Sequence, residues 1–394
     1  MAKILDGIRV LDFGRYIASP YCCQLLADMG ADVIRVERPE GEPDRQRGPM
    51  TRDGQSIYYI TLNRNKRGIT LNLDNEAGRQ TLAALVKKAD VLVHNQPINR
   101  AQALGLDYPQ LREINPRLIS LAVSGFGSSG PWANFTSLDI AVQALSGSAD
   151  MTGPPEASPM LTHLPFEDFG TSLYGALAVT MALFHRERTG QGQSVDLALF
   201  STGLSFVAAY GVLAEVALNG VARRAVGNNV AFAVGGIYRC REGHVAIACA
   251  TDALWRKLCR LIQRPELIDD PRLKNDLDRY EHRDLVDEAI SDWTTKHPAA
   301  EVARILAEAS VPVGEVNSVD KIQSHPQVKA LEMAPTIEQP GLGPVPVAGI
   351  AMKFSETPGS IDRPAPGLGE HNREVYEQLL GAGSYERLKR ESAI

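Results

Sequence analysis

Short apolar segments separated by helical patterns dominate the first 150 residues and limit the folds open to this chain. Several of these segments are apolar almost throughout, which is typical of parallel strands covered on both faces. The segments are residues 8–13 (IRVLDF), 32–36 (DVIRV), 69–73 (ITLNL), 91–95 (VLVHN) and 118–124 (LISLAVS). The pattern predicts a doubly wound α/β domain, in which ligands bind beyond the carboxyl ends of the strands.

A change of pattern after residue 237 predicts a second, smaller domain. Short strands (IYRC and HVAIAC) are followed by charged amphipathic helices over residues 255–262 and 284–295. Before this change, the sequence predicts one helix from Asp168 to about residue 187 and a long apolar helix to about residue 218. One stripe of the first helix carries four apolar residues: Leu173, Leu177, Met181 and Phe184. The last predicted helix lies near residues 372–380.

Charge balance and cysteine content restrict the class of function and the compartment. The chain has 41 basic and 47 acidic residues, a net charge of -6 and no long run of either sign, which argues against a dedicated nucleic-acid binder. Its five cysteines form no C-x-x-C pair, as expected of apolar core residues in a reducing, cytoplasmic compartment. The start MAKILDGIRV lacks the apolar core of a signal peptide, and no stretch of eighteen apolar residues occurs, so we expect a soluble protein.

Several familiar cofactor and catalytic motifs are incomplete or missing from the sequence. Residues 125–130 (GFGSSG) match G-x-G-x-x-G, but Pro131 and Trp132 predict a loop where a dinucleotide site needs the start of a helix. There is no P-loop and no G-x-S-x-G nucleophile elbow. The eight histidines have no metal-ligand spacing, so we expect neither a metal site nor a permanently bound cofactor.

Two adjacent acids, Glu167 and Asp168, open the apolar stretch that runs to Phe184. One interpretation is structural, because acids in the first turn of a helix satisfy free N–H groups and the positive end of the helix dipole. The other is chemical, because a carboxylate can attack an activated acyl group as a covalent nucleophile. Partial burial would raise the pKa of such a carboxyl, and N–H groups at the helix start would lower it. The residues alone leave both interpretations open.

The sequence resembles the family III CoA-transferases over nearly its whole length. Six blocks carry the resemblance, in this order: LDGIRVLDFGRYIASPYCCQLLADMGADVIRVERP from Leu5, DRQRGP from Asp44, LNRNKRGITLNL from Leu62, GFGSSGPWANFTSLDIAVQALSG from Gly125, DFGTSLYGALAVTMALFHRERTGQGQSVDLAL from Asp168 and GLGEHNREVYEQLLG from Gly367. Asp168 matches the family's catalytic aspartate, and the adjacent Glu167 is the other candidate nucleophile. The resemblance implies transfer of CoA from an acyl-CoA thioester to a free carboxylic acid, without ATP, through an aspartyl mixed anhydride and an aspartyl-CoA thioester.

The same resemblance implies an architecture and an assembly. A large CoA-binding Rossmann-like domain is expected from residues 1–200, followed by a linker over 201–224 and a small α+β domain over 225–312. Residues 313–394 are expected to form a linker and the return to the large domain. Two subunits are expected to interlock as a homodimer, an exception to the rule that chains avoid threading. The other expected partners are the acyl-CoA and carboxylic acid substrates, and neither a nucleic acid nor a membrane.

Three residues match family positions at coenzyme A. Ile17 and Ala18 follow the first strand, at positions whose backbone lies against the CoA thiol end and the bound acid. Arg38, at the end of the second strand, matches the residue at the adenine and ribose phosphate. A solvated arginine at a strand end is the alternative interpretation of Arg38.

A fourth contact is expected from Asn95, which matches the family block E-N-F-x-P-G. That block reads HNQPINRAQALG here, with Gln96 in place of the aromatic residue and Ala103 in place of an expected arginine. Arg100 is therefore expected to supply the missing positive charge to a phosphate.

Two other functions compete with CoA transfer. An α-methylacyl-CoA racemase of the same superfamily keeps the aspartate, but it needs a second base at the position that Leu138 occupies here. A non-catalytic acyl-CoA binding protein is the alternative from a different class. The glycine-rich flap of formyl-CoA transferase is also missing, with only GNN at Gly227 and GG at Gly235 nearby, which argues against oxalate as the acceptor.

Three arginines raise a question about the acid substrate. Arg15, Arg45 and Arg47 lie in blocks expected near the active site. They either hold the far carboxylate of a dicarboxylic acceptor such as succinate by bidentate pairing, or they only keep the surface soluble.

Overall fold

The computed structural model describes residues 2–394, and its internal contacts divide them into two compact units. Unit 1 consists of residues 2–148, Thr162–Asn219 and Pro326–Ile394. Unit 2 consists of Ala149–Leu161 and Gly220–His325. Residues 201–219, where we expected a linker, are helical and belong to unit 1.

The strands are Arg9–Phe13 (β1), Asp32–Glu37 (β2), Lys66–Thr70 (β3), Val91–His94 (β4), Ile119–Ser124 (β5), Ser194–Ala198 (β6), Val234–Arg239 (β7), His244–Cys249 (β8), Val313–Glu315 (β9), Thr336–Gln339 (β10) and Gly343–Pro346 (β11). The α-helices are Ala18–Asp28 (α1), Ile57–Leu62 (α2), Glu76–Val86 (α3), Ile98–Ala103 (α4), Tyr108–Ile114 (α5), Asp139–Ser146 (α6), Phe166–Thr189 (α7), Leu199–Ala209 (α8), Val212–Asn219 (α9), Asp252–Leu261 (α10), Asp276–Glu281 (α11), Arg283–Thr294 (α12), Ala299–Glu308 (α13), Val319–Ile322 (α14), Pro326–Ala330 (α15), Asn372–Leu380 (α16) and Ser384–Arg390 (α17). Short 3₁₀ helices span Pro43–Gln46 and Pro265–Ile268.

Unit 1 is built on a six-stranded sheet in the order β3-β2-β1-β4-β5-β6. Every pairing in this sheet is parallel, so the predicted α/β fold with a parallel sheet is confirmed. The strand order reverses direction between β1 and β4. In doubly wound folds this reversal opens a crevice at the carboxyl ends of the strands, and ligands commonly bind there.

Side chains from the two faces of this sheet enter two separate apolar cores, as the uninterrupted apolar strands require. On β1, Val10 packs in the core that includes α1 and α7, whereas Leu11 packs in the core that includes α3 and α16. Neither side chain has exposed surface. The C-terminal segment thus completes one face of a sheet that the N-terminal segment begins, and the Tyr376 hydroxyl donates to the Thr70 carbonyl at 2.6 Å.

A glycine allows α1 and α7 to approach closely. A Cβ atom placed on Gly175 of α7 would lie 3.1 Å from the Cys22 Sγ of α1, a distance that forces the neighbour to move. The first turns of the two helices also touch, because the rings of Tyr21 and Phe169 meet edge-on with centroids 5.3 Å apart. The start of α7 is therefore fixed beside the loop that follows β1.

Two helical predictions need correction. The long apolar helix predicted to about residue 218 is two helices, α8 and α9, because Gly211 between them has a φ of 83°. A further helix, α17, follows the helix that the sequence predicted near residues 372–380.

The apolar stripe of α7 is exposed in the single chain: Leu173 by 57%, Leu177 by 50%, Met181 by 61% and Phe184 by 59%.

Unit 2 has an antiparallel sheet in the order β7-β8-β9 and a core of its own. Helices α10, α12 and α13 supply Trp255, Ile290 and Val302 to that core. Strand β9 pairs with β8, so unit 2 extends past residue 312, where we expected the small domain to end.

Among residues 2–394, no single helix has the length and apolar composition to cross a membrane. Helices α8 and α9, which are bent by 55° at their junction, reach that length and composition only when they are counted together.

Candidate active site

The first turn of α7 is capped by a side chain from another segment. The Asp139 carboxylate, at the start of α6, accepts the backbone N–H of Glu167 at 3.0 Å and of Asp168 at 3.1 Å through one oxygen, Oδ2. Its other oxygen accepts Gln143 Nε2 at 2.5 Å. The N-cap residue Pro165 forms no side-chain cap. Because Asp139 satisfies these N–H groups, the side chain of Asp168 is not needed for that purpose.

The Asp168 carboxyl lies in an environment that disfavours its charge. Burial is the first cause, and the negative charges of Asp139 and Glu167 follow; together they raise the pKa of Asp168 to about 7. The nearby Arg47 guanidinium acts in the opposite direction and lowers this pKa. The side chain is half-buried rather than fully enclosed. Asp168 is thus an accessible carboxyl that changes its protonation state near neutral pH.

Glu167 differs from its neighbour in access. It is 4% exposed, and its Oε1 accepts the Ser148 hydroxyl at 3.0 Å. Burial, followed by the charge of Asp139, raises the pKa of Glu167. Its Oε2 is buried without a hydrogen-bond partner among the described residues. A substrate would reach Asp168 more readily than Glu167.

The sequence did not single out Tyr58 and Tyr16. Tyr58 lies near Asp168 and Arg47, and Tyr16 lies near Arg47. Burial first, and then the charge of Asp168, raises the pKa of the Tyr58 hydroxyl, whereas Arg47 lowers it. The Arg47 guanidinium lies 5.6 Å from the centre of the Tyr16 ring. Tyr16 has a φ of 64°, an uncommon conformation for a bulky residue and one that is enriched at ligand sites. Positive φ values are not visible in a sequence, and no motif marked Tyr58.

The loop after β1 carries the predicted residues Ile17 and Ala18. Ile17 is the N-cap of α1 and Ala18 its first residue, and both are at most 5% exposed. They lie in the first turn of α1, which touches the first turn of α7 through Tyr21 and Phe169. The structure therefore brings Ile17 and Ala18 to the same end of the helix pair as Asp168.

Asn95 holds the same loop from the other side of the strand-order reversal. Its Oδ1 accepts the Arg15 N–H at 2.8 Å, and its Nδ2 donates to the Arg15 carbonyl at 2.7 Å. This two-point contact joins the loop after β4 to the loop after β1. The structure thus gives Asn95 a positioning role that the motif alone did not reveal.

Arg38 and Arg100 line one open cleft at the carboxyl ends of β1 to β4. Apolar side chains line it as well: Phe13, Val36, Leu71, Leu104 and Leu106. Both arginines are about half exposed, with Arg38 paired to Glu40 and Glu42 and Arg100 to Asp74. An apolar wall with half-exposed cations at its rim is suited to a flat ring that carries phosphates. Ala103, where the resemblance led us to expect an arginine, is not among the lining residues.

Leu138, at the position where a racemase needs its second base, is the exposed N-cap of α6 and has no group that can exchange a proton. No group of three or more His, Cys, Asp or Glu side chains in residues 2–394 could hold a metal ion.

Residues 5–372 match the sequence profile described as CoA-transferase family III. Among curated proteins, the chain is 33% identical over 382 residues to a succinyl-CoA–D-citramalate CoA-transferase of Chloroflexus aurantiacus, covering 96% of this chain and 94% of that protein. It is also 33% identical over 383 residues to a succinate–glutarate CoA-transferase of Agrobacterium fabrum, covering 95% of each. Among solved structures, a CAIB/BAIF family protein from Brucella suis superposes with a TM-score of 0.84 at 33% identity, over 96% of this chain and 100% of that one.

Proposed function

The chain belongs to family III of the CoA-transferases, and we propose that it moves coenzyme A from an acyl-CoA thioester to a free carboxylic acid with Asp168 as the nucleophile. One observation carries the assignment of Asp168. Its carboxyl is reachable, is not used to cap α7, and has its pKa raised to about 7 by burial and by two neighbouring acids. A carboxyl with that pKa is about half ionised at neutral pH, and its carboxylate form is a stronger nucleophile than an ordinary carboxylate.

Each step of the proposed cycle keeps an acyl group activated, either as a thioester or as an anhydride. An Asp168 oxygen attacks the thioester carbonyl, the C–S bond breaks, and CoA leaves as a thiolate from a mixed anhydride. The thiolate then attacks the Asp168 carbonyl, which releases the donor acid and leaves an aspartyl-CoA thioester. The acceptor carboxylate reverses these two steps, so that acyl-CoA and free Asp168 are formed. No proton, oxidant or nucleotide is consumed.

We propose that the cleft lined by Arg38 and Arg100 takes the nucleotide end of CoA. The guanidinium groups would pair with phosphates, and the apolar wall would contact the adenine. From this cleft, which Arg15 also lines, the chain leads directly to Ile17 and Ala18 beside Asp168. The pantetheine arm would follow that loop, whose conformation Asn95 fixes through Arg15. On this proposal unit 1 is the CoA-binding domain.

The acids exchanged by this chain are proposed to be dicarboxylic. The two curated relatives are named for succinyl-CoA and D-citramalate, and for succinate and glutarate. These acids share a second carboxylate, so an enzyme of this kind needs a cation that a monocarboxylate would leave unused.

A homodimer would cover the apolar faces that the single chain exposes. Besides the stripe on α7, helix α9 has no buried residue and exposes Leu213, Val216 and Leu218. Contiguous apolar surface of this kind marks an interface. We propose that a second copy covers it, interlocked as the family resemblance implies. Light scattering should give the mass of two chains at micromolar concentration, and a monomer mass would contradict the assembly.

The proposed compartment is the cytoplasm. All five cysteines are free and buried, which suits a reducing environment.

The nucleophile is tested by comparing two adjacent carboxyls. Asp168→Ala should lower CoA exchange between succinyl-CoA and labelled glutarate by at least about 10³-fold while CoA still binds. Glu167→Gln, which keeps an acceptor for Ser148, should retain exchange within about tenfold. Unchanged exchange in Asp168→Ala would leave only a CoA-binding protein or a different nucleophile.

The covalent intermediate can be mapped directly. Borohydride added during turnover should reduce the aspartyl thioester to an alcohol, and peptide mass analysis should place the change at Asp168. A change at Glu167 would reverse the assignment. Exchange of the α-proton of a branched acyl-CoA in heavy water, without any acceptor acid, would favour the racemase instead.

A further inference from the structure

Of the three arginines that could bind the acid substrate, Arg15, Arg45 and Arg47, the second is fully used by the fold. Its guanidinium donates to both oxygens of Glu37 at 2.7 Å and to the Tyr59 hydroxyl at 2.6 Å. It also contacts the Pro366 carbonyl and lies over the Tyr59 ring at 4.0 Å. A substrate carboxylate could reach Arg45 only by displacing a buried acid.

Arg15 is committed as well. Its Nε pairs with Glu42 at 3.2 Å, its Nη2 donates to Gln96, and its backbone is held by Asn95. Its contacts lie at the cleft that Arg38 and Arg100 line, which is the proposed nucleotide site. Neither Arg15 nor Arg45 is therefore available to the acid substrate.

Arg47 differs from both. Its side chain is exposed, and no acid in residues 2–394 forms an ion pair with it. Its backbone carbonyl accepts the Ser56 hydroxyl at 2.7 Å, so the position is anchored although the guanidinium is free of a carboxylate. Ser56 is also the N-cap of α2, the helix that carries Tyr58. Arg47 does not line the proposed nucleotide cleft.

The Arg47 guanidinium lies beside the loop that leads into α1. It lies over Tyr16, the residue before Ile17, at 5.6 Å from the ring centre, and the first turn of α1 touches the first turn of α7, which carries Asp168. Its charge is felt by the Asp168 carboxyl and the Tyr58 hydroxyl, since it lowers the pKa of both. A cation without an ion pair among residues 2–394 thus lies at the same end of the α1 and α7 pair as Asp168.

We propose that Arg47 is the specificity-determining residue that binds the second carboxylate of a dicarboxylic acid while the first carboxylate reacts at Asp168. The inference rests on the proposed CoA-transferase function. It follows from the geometry because a guanidinium that has no carboxylate partner and lies near a nucleophile offers bidentate pairing to a carboxylate. A monocarboxylate reacts at the same Asp168 but leaves Arg47 in water.

The test compares glutarate with pentanoate, which has the same number of carbons and lacks the second carboxylate. With succinyl-CoA as donor, kcat/KM for the acceptor is measured in the native protein, in Arg47→Gln and in Arg47→Lys. In the proposed cycle the acceptor meets the aspartyl-CoA thioester, so the ionisation of free Asp168 does not enter kcat/KM for the acceptor. Arg52→Gln, an exposed arginine of the same segment, is the matched control.

The native protein should favour glutarate over pentanoate by at least about tenfold. Arg47→Gln should lower kcat/KM for glutarate by about 10- to 100-fold and for pentanoate by less than about threefold, since a charged hydrogen-bonded pair is lost only with the diacid. Arg47→Lys should fall between, and Arg52→Gln should match the native protein.

The outcomes separate this inference from the function on which it rests. If the native protein exchanges CoA but shows no preference for glutarate, or if Arg47→Gln lowers both acids equally, Arg47 does not read the second carboxylate and the CoA-transferase function still stands. If the native protein transfers CoA to no acid under any of these pairings, the proposed function fails and this inference fails with it.

Discussion

Around β1, buried side chains of opposite charge form ion pairs with one another. At the start of α7, by contrast, three carboxylates lie together without an ion-pair partner. In the first region Lys66 and Asp12 are fully buried, with Nζ and Oδ2 2.8 Å apart. Arg35 and Asp44 pair at 2.9 Å, also without exposure. In the second region no Lys, Arg or His of residues 2–394 forms an ion pair with Asp139, Glu167 or Asp168.

The difference separates a support from a reactive site. Lys66 also donates to the Pro20 carbonyl and the Asn63 side chain at 2.8 Å, so one cation joins β1, α1 and the end of α2. Matched charges of this kind hold the loop that carries Ile17 and Ala18. Unmatched carboxylates instead repel one another, and burial together with this repulsion keeps the pKa of Asp168 high. The same residue types give rigidity in one place and reactivity in the other.

The largest expected effect comes from breaking the matched region. Lys66→Met should lower the free energy of unfolding by about 3–5 kcal/mol, because the buried Asp12 carboxylate loses its 2.8 Å partner and keeps only the 3.7 Å contact to Arg35. Urea unfolding at a fixed protein concentration measures the change. Lys88→Met, which removes an exposed lysine, should change it by less than about 0.5 kcal/mol. A Lys66→Met protein as stable as the control would mean that the buried pair does not support the loop.

Removing a charge from the unmatched region should stabilise the protein, whereas Lys66→Met should destabilise it. A carboxyl has a pKa of about 3.9 in the unfolded chain, and that of Asp168 is about 7 in the folded protein. The folded state therefore holds more protons between these values, and stability falls as the pH rises through this window. Asp168→Asn removes this loss and should stabilise the protein at pH 8, relative to pH 5, by about 1–3 kcal/mol.

The comparison for that experiment is Glu113→Gln, which neutralises an exposed acid on α5 and should give parallel curves for the free energy of unfolding against pH. A stability of Asp168→Asn that falls with pH as steeply as the native protein would show that the Asp168 carboxyl is not raised in pKa by its surroundings.

The sequence predicted the parallel sheet, because the sheet depends on local patterns. Apolar runs identified β1, β2, β4 and β5, and the run over 69–73 lies three residues beyond β3, Lys66–Thr70. The block that begins at Asp168 indicated the proposed nucleophile by resemblance. The cap from Asp139 was missed, although the block TSLDIAVQ had drawn attention to Leu138 beside it. That contact joins residues 29 positions apart, and no local pattern records which distant side chain a helix start will meet.

The arginines show the same limit more sharply. Arg45 and Arg47 are two positions apart and chemically identical, so the sequence could not decide which of them is free. The fold decides, since Glu37 at the end of β2 pairs with Arg45, whereas no acid among residues 2–394 forms an ion pair with Arg47. Ion pairing between segments is a tertiary property, and it determines which cation remains for a substrate.

A third prediction reduces the charge in the unmatched region. Asp139→Asn removes one of the two acids that raise the Asp168 pKa, so the acidic limb of kcat/KM for the acyl-CoA donor should move about 1 pH unit lower. The amide keeps one accepting oxygen, which can accept the two backbone N–H groups but not Gln143 Nε2 as well, so some loss of stability should accompany the shift. Glu113→Gln should leave the limb unchanged. A limb that moves upward would contradict the assigned direction.

The smallest effect is expected from the single cation that acts on this region from a distance. Arg47 lowers the pKa of Asp168, so Arg47→Gln should raise that pKa and move the acidic limb of donor kcat/KM upward by roughly 0.2–0.7 pH unit, the range of a weakly coupled, solvent-exposed pair. Pentanoyl-CoA is the appropriate donor, because it has no second carboxylate that Arg47 could bind. Arg47→Lys keeps the charge and should leave the limb within error of the native protein, as should Arg52→Gln. If the acidic limb does not move in Arg47→Gln, the guanidinium lies too far from Asp168 to share a substrate with it. The start of α7 would then have no free cation beside its carboxylates, and the comparison with the paired charges around β1 would fail for that region.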